Sequence, residues 1–198
     1  MSIELQHVNV KLFLRNAEGL KTGDYTGVFN GWIQARALGE LLVDVADYGH
    51  VHHGPGLVLI GHAANYSLDE SGGRLGLLYN RKARVDGSNQ DRLRQAVVAA
   101  LRAAQKLERE QGFQFDGDEL QITANDRRLA PNTPDTFAAL KPDFVRLVNL
   151  LYGGAAYSLA NTSRDPRERF SVSATTAAGF DVTALLGHLE AETEHVQA

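Results

Sequence analysis

Residues 41–82 decide the fold, and they read LLVDVADYGHVHHGPGLVLIGHAANYSLDESGGRLGLLYNRK. Apolar runs rich in Val, Ile and Leu alternate there with residues typical of turns, which is the pattern of short strands. We predict four strands, at residues 41–47, 57–62, 65–70 and 75–81. The SGG at 71–73 is a hairpin signal, so these strands are expected to pair antiparallel as a meander.

Segments on both sides of this meander predict helices and further strands. Residues 8–14 alternate apolar and polar side chains, as a half-buried strand does. Apolar residues spaced as on one face of a helix follow Asp24 and recur between Ser88 and Gly112. In the second part we predict strands near 119–124, 156–161 and 170–175, and helices that begin at Thr133 and Asp181. Proline lacks an N–H, so Pro142 is expected to break or kink the first of these helices.

These elements predict an α+β fold, with an antiparallel sheet of about six to eight strands and three to four helices, in a single domain over residues 1–198. The strand and helix order recurs at an offset of 112 to 114 residues. One hypothesis is therefore a pseudo-duplication with halves at 1–112 and 113–192. The alternative is a chance recurrence of a common pattern, because sequence identity between the halves is negligible.

Composition excludes several classes of function. The 198-residue chain has no cysteine, which removes disulfides, zinc–thiolate sites, iron–sulfur clusters and a cysteine nucleophile. The net charge of −4 gives no footprint for nucleic acid, so no nucleic-acid partner is expected. The sequence shows neither a secretory signal nor an apolar run long enough to span a bilayer. We therefore expect a soluble cytoplasmic protein that does not bind membranes.

The first candidate site is the long loop at 47–56, which carries three of the seven histidines. Imidazoles bind divalent metals well, and His50 and His52 would project to one side of an extended segment. His53 and the carboxylate of Asp47 would complete a set of metal ligands. The alternative is a solvent-exposed loop whose histidines have no function.

The second candidate site follows from pairing the strands at 41–47 and 57–62 as a hairpin. Leu42 then lies opposite His62, Asp44 lies diagonal to His62, and a turn at 63–65 sets Tyr66 across from it. The carboxylate would fix the imidazole tautomer, so His62 is a candidate general acid or base and Tyr66 a candidate donor. Three interpretations remain: a buried polar network, a ligand pocket, or a catalytic site.

The third candidate site is basic. Arg127 and Arg128 follow the strand near residue 124, and the segment SRDPRER at 163–169 brings further arginines. Guanidinium groups bind carboxylates or phosphates through two parallel hydrogen bonds, so these residues are candidates for ligand binding. The alternative is surface charge paired with neighbouring acidic residues.

Two functions of different classes follow. The leading hypothesis is a protein that binds a small molecule or a divalent metal, with an Asp/His/Tyr pocket that would make it an enzyme. The rival is a non-catalytic interaction or scaffold module that forms a homodimer through a strand edge or a helix face. The sequence identifies no cofactor.

Overall fold

In the computed structural model, the backbone is described for residues 3–196 and the side chains for residues 3–191. Within this range the chain forms eight strands and four α-helices. In chain order they are β1 (Val8–Leu14), α1 (Thr26–Ala35), β2 (Leu42–Asp47), β3 (Leu57–Gly61), β4 (Ala64–Asp69), β5 (Gly76–Arg81), α2 (Asn89–Gln111), β6 (Phe115–Ala124), α3 (Pro134–Leu151), β7 (Tyr157–Asn161), β8 (Ser171–Thr176) and α4 (Val182–Val196). Short 3-10 turns lie at Thr22–Tyr25 and Ser71–Gly73.

The strands form one antiparallel sheet in the order β2-β3-β4-β5-β1-β6-β8-β7. An α+β fold with a sheet of this size and four helices was predicted from the sequence, and the prediction is confirmed. β1 and β6 are neighbours in the middle of the sheet. From each of them the chain passes through a helix to an edge strand, β2 or β7, and then returns towards the centre. This is the element order on which the two-half hypothesis rests; the hypothesis itself stays a prediction.

The helices cover one face of the sheet. α2, α3 and α4 contact one another, and α2 also packs against β1 and β5. Val8, Val10 and Leu12 of β1 point to this side and belong to the hydrophobic core. Side chains alternate along a strand, so Asn9 and Lys11 point to the opposite side. We call this opposite side the open face.

Local signals fix the longest helix. Ser88 is the N-cap of α2, its side chain accepts a hydrogen bond from the Asp91 N–H, and Asp91 completes a capping box. The helix ends at Gly112, which adopts a left-handed conformation with φ of 68°. Both boundaries agree with those predicted from the sequence.

The predicted break at Pro142 is wrong, because α3 continues through it as a single helix. Proline removes one backbone hydrogen bond and disfavours the helix interior. Leu140 on one side of the proline, and Phe144 and Leu147 on the other, are all buried in the core. Packing of this apolar stripe outweighs the local cost of the proline.

None of the helices in the described part of the chain combines the length and the hydrophobicity of a membrane-spanning segment.

Candidate ligand site on the open face

The predicted alignment of Asp44, His62 and Tyr66 is wrong. Asp47 does pair with Leu57 as expected, but a bulge between Leu42 and Asp44 places Leu42 opposite Gly61. The connection from β3 to β4 is also tighter than predicted, so that Tyr66 pairs with Leu59. A bulge and a shorter turn each shift the register, and every shift changes which side chains share a face.

The three side chains consequently lie in different environments. His62 is exposed in the β3–β4 turn, and Asp44 is exposed and accepts a hydrogen bond from the N–H of Val45. Tyr66 is buried on the helix side, where its hydroxyl donates to Oε1 of Glu40 at 2.8 Å. Burial first, and the Glu40 carboxylate second, raise the pKa of Tyr66. The structure therefore gives a catalytic Asp–His–Tyr row no geometric support.

The histidine loop does not assemble its ligands either. Oδ1 of Asp47 accepts a hydrogen bond from the N–H of Gly49, which closes the start of the loop. The rings of His52 and His53 contact each other with centroids 3.9 Å apart, and His50 lies against Tyr48. Across the described side chains, no group of three or more His, Cys, Asp or Glu residues is placed to hold a metal ion. The predicted set of His50, His52, His53 and Asp47 thus does not form a metal centre in this conformation.

The basic candidate residues lie beside a cavity of about 720 Å³ on the open face. Arg127 lines this cavity, together with Arg167 and Arg169 of the 163–169 segment. Arg128 is exposed and does not contribute to the lining. The structure thus separates the two neighbouring arginines that the sequence grouped together.

The cavity floor consists of polar side chains from three neighbouring strands. Asn9 of β1 pairs with Thr123 of β6, which in turn pairs with Ser171 of β8. In the next row, Lys11 pairs with Gln121. Asn9 is 4% exposed, and its Oδ1 has no hydrogen-bond partner among the described residues. A buried amide oxygen without a donor is costly, so the side-chain amide of Asn9 keeps unused hydrogen-bonding capacity at the cavity floor.

A buried ion pair closes one side of the floor. Nζ of Lys11 lies 2.6 Å from Oδ1 of Asp69, and the two side chains are 7% and 3% exposed. The same Nζ donates to the carbonyl oxygen of Ser71 at 2.8 Å. The hydroxyl and N–H of Ser71 also donate to Oδ1 of Asp69. Asp69 therefore balances the lysine charge and fixes the turn that forms the adjacent cavity wall.

Two arginines at the rim keep charge that no carboxylate neutralises within the described part of the chain. Arg127 donates to the backbone oxygen of Arg167 at 2.6 Å, and Arg169 donates to the amide oxygen of Asn125 at 2.8 Å. Arg167, in contrast, forms an ion pair with Asp165. Four cations line the cavity, against Glu168 and the two paired carboxylates of Asp69 and Asp165, which leaves one net positive charge.

Sequence reasoning missed the floor residues. The alternation in β1 predicts a half-buried strand, in which the polar positions 9 and 11 face solvent. Similar polar positions recur at 121 and 123 and at 171 and 173. Only the strand order, which brings β1, β6 and β8 together, shows that these positions form one surface.

Comparison with protein-family models, with curated proteins and with solved structures returned no match for this chain.

Proposed function

We propose that this protein binds a small, polar, negatively charged molecule in the open-face cavity. The observation that carries the proposal is a cavity of about 720 Å³ whose rim holds two arginines without carboxylate partners among the described side chains. Small-molecule sites are concave and commonly span roughly 300–1,000 Å³, so the size fits a ligand rather than a single ion.

The composition of the wall supports a polar ligand. Ligand pockets are usually lined by apolar side chains, but here Leu78 is the one apolar side chain among the described lining residues. The hydroxyls and amides of Thr123, Ser171 and Gln121 offer both donors and acceptors. A ligand without polar groups would desolvate this floor and receive no hydrogen bonds in return.

The charge of the rim supports an anion. Arg127 and Arg169 each donate to a neutral oxygen, which holds the guanidinium in place without a carboxylate partner. A carboxylate or phosphate between them would form charge-assisted hydrogen bonds, which are the stronger kind. Arginine also presents a planar fork that suits these groups.

Isothermal titration calorimetry with inorganic phosphate tests the proposal. We expect the double variant Arg127→Gln/Arg169→Gln to weaken phosphate binding at least tenfold, since hydrogen bonds to charged groups contribute roughly 1.5–3 kcal/mol each. Arg128→Gln is the matched control, because Arg128 is the exposed neighbour that does not line the cavity. Equal loss in the control, or no loss in the double variant, would refute the proposal.

A second candidate function is self-association through the β2 edge. Four of the five large apolar side chains described as exposed lie near this strand, namely Leu41, Val43, Tyr48 and Val51. Clustered exposed apolar groups mark interaction surfaces. Analytical ultracentrifugation of wild type and Val43→Asp would detect a homodimer that the substitution dissociates, and a monomer over the whole concentration range would reject it. The cytoplasm is kept as the proposed location for either function.

A further inference from the structure

Resting on the proposed function, we infer that the ligand is a hydroxyl-bearing anion of the sugar-phosphate type. Its phosphate would lie between Arg127 and Arg169 at the rim, and one of its hydroxyls would form a hydrogen bond with the side-chain amide of Asn9 on the floor. Asn9 would thus recognise the uncharged part of the ligand.

Asn9 has unused hydrogen-bonding capacity at the cavity floor. It lines the cavity although the residue is only 4% exposed, and its Oδ1 lacks a donor among the described residues. Native proteins rarely leave such an atom unpaired without a functional reason. The hydroxyl of the adjacent Thr123 is hydrogen-bonded to Ser171, and Oδ1 of Asn9 receives no hydrogen bond from it. A bound hydroxyl group would use this free capacity of the Asn9 amide.

The distance between the cavity floor and the rim bears on the size of the ligand. Asn9 and Ser171 are separated by one intervening strand, which is about 10 Å at the usual strand spacing, and Arg169 lies two residues before Ser171, about 7 Å along the chain. The Cα atoms of Asn9 and Arg169 are therefore roughly 12 Å apart, by strand geometry. A ligand that carries hydroxyl-bearing atoms beyond its anionic group can contact the rim and the floor together.

The side chains of the floor indicate which groups the ligand presents to them. No aromatic ring is found among the described residues that line the cavity, so a nucleobase would have no stacking partner. Hydroxyl groups both donate and accept, which matches the mixture of amide and hydroxyl side chains presented by Asn9, Gln121 and Thr123. A polyol attached to the phosphate suits this floor better than an apolar or aromatic group does.

Calorimetric titration with ribose 5-phosphate, inorganic phosphate and ribose tests the inference on the wild type and on Asn9→Leu. We expect the wild type to bind ribose 5-phosphate at least tenfold more tightly than inorganic phosphate. Asn9→Leu should lose about tenfold in affinity for ribose 5-phosphate and keep its affinity for inorganic phosphate. Because the substitution removes an unpaired buried acceptor, the unliganded variant should melt no lower than wild type. Asn9→Ala makes the same comparison if leucine overpacks the site.

Asn65→Leu is the matched control. Asn65 is also an asparagine with an unpaired buried Oδ1, on the same face and two strands from Asn9, but it does not line the cavity. It should leave both affinities unchanged. Phosphate binding that depends on the arginines, with ribose 5-phosphate no tighter or Asn9→Leu without effect, would overturn this inference and leave the proposed function standing. Failure of both phosphate and ribose 5-phosphate to bind would overturn both.

Discussion

Replacing Lys11 by methionine tests how the cavity floor is held together. The substitution keeps the length and most of the volume of the side chain but removes its charge. It leaves the Asp69 carboxylate, which is 3% exposed, without its cationic partner. Lys11 also donates to the carbonyl oxygen of Ser71, so the same change loosens the turn beside the cavity.

The magnitude follows from the geometry of the pair. At the 2.6 Å separation of Nζ and Oδ1, the Coulomb attraction is about 6 kcal/mol for an effective dielectric constant near 20. Much of this offsets the desolvation of the two charges, and breaking such a pair from one side costs about 3–5 kcal/mol. For a domain of this length, that loss lowers the melting temperature by roughly 6–20 °C.

Chemical denaturation and differential scanning calorimetry would measure this loss, with the double variant Lys11→Met/Asp69→Leu as the control. Removing both charges avoids a lone buried carboxylate, so the double variant should be clearly more stable than Lys11→Met alone. A Lys11→Met protein with wild-type stability would refute the assignment of a buried, energetically coupled pair. So would a double variant whose loss equals the sum of the two single losses.

Three further predictions concern stability. Burial raises the pKa of Tyr66, Tyr79 and Tyr152, so the folded state holds protons that the unfolded state releases above pH 10. Stability should therefore fall above pH 10 by up to about 1.4 kcal/mol per pH unit for each tyrosine, and Tyr66→Phe should reduce that slope in alkaline denaturation curves. Ser88→Ala should cost about 1 kcal/mol at neutral pH. Hydrogen bonds from Ser88 hold the pKa of Asp91 below its ordinary value. The stability lost in Ser88→Ala should therefore shrink as acid protonates Asp91 below about pH 4. A loss that stays constant with pH would contradict the capping interaction. Gly31→Ala should stabilise α1 by up to about 1 kcal/mol, because nothing lies within 4 Å of the added Cβ. Gly76→Ala should strongly destabilise the folded protein, because its Cβ would lie 2.2 Å from the backbone oxygen of Leu12. Similar melting temperatures for the two variants would contradict this expectation.

The fold class was predictable because its signals are local. The alternation in β1 and the capping box at Ser88 depend on residues close together in the sequence. The break at Pro142 was predicted wrongly for the complementary reason, since long-range packing of the helix outweighs a local preference.

The candidate sites depended on register, which the sequence does not determine to one residue. A bulge after Leu42 and a shorter turn before Ala64 were enough to separate Asp44, His62 and Tyr66. The cavity required knowledge of which strands become neighbours. Arg127 could be named from the sequence, but its association with Asn9 arises from the pairing of β1 with β6.

The central claim, that the open-face cavity binds an anionic ligand, is tested most directly by a ¹⁵N NMR titration with ribose 5-phosphate. We expect saturable shifts of the backbone amides around Asn9, Thr123, Arg127 and Ser171, all of which line the cavity. Amides around His52 in the histidine loop should remain unchanged. Saturable shifts centred on that loop, or none anywhere at millimolar ligand, would contradict the claim.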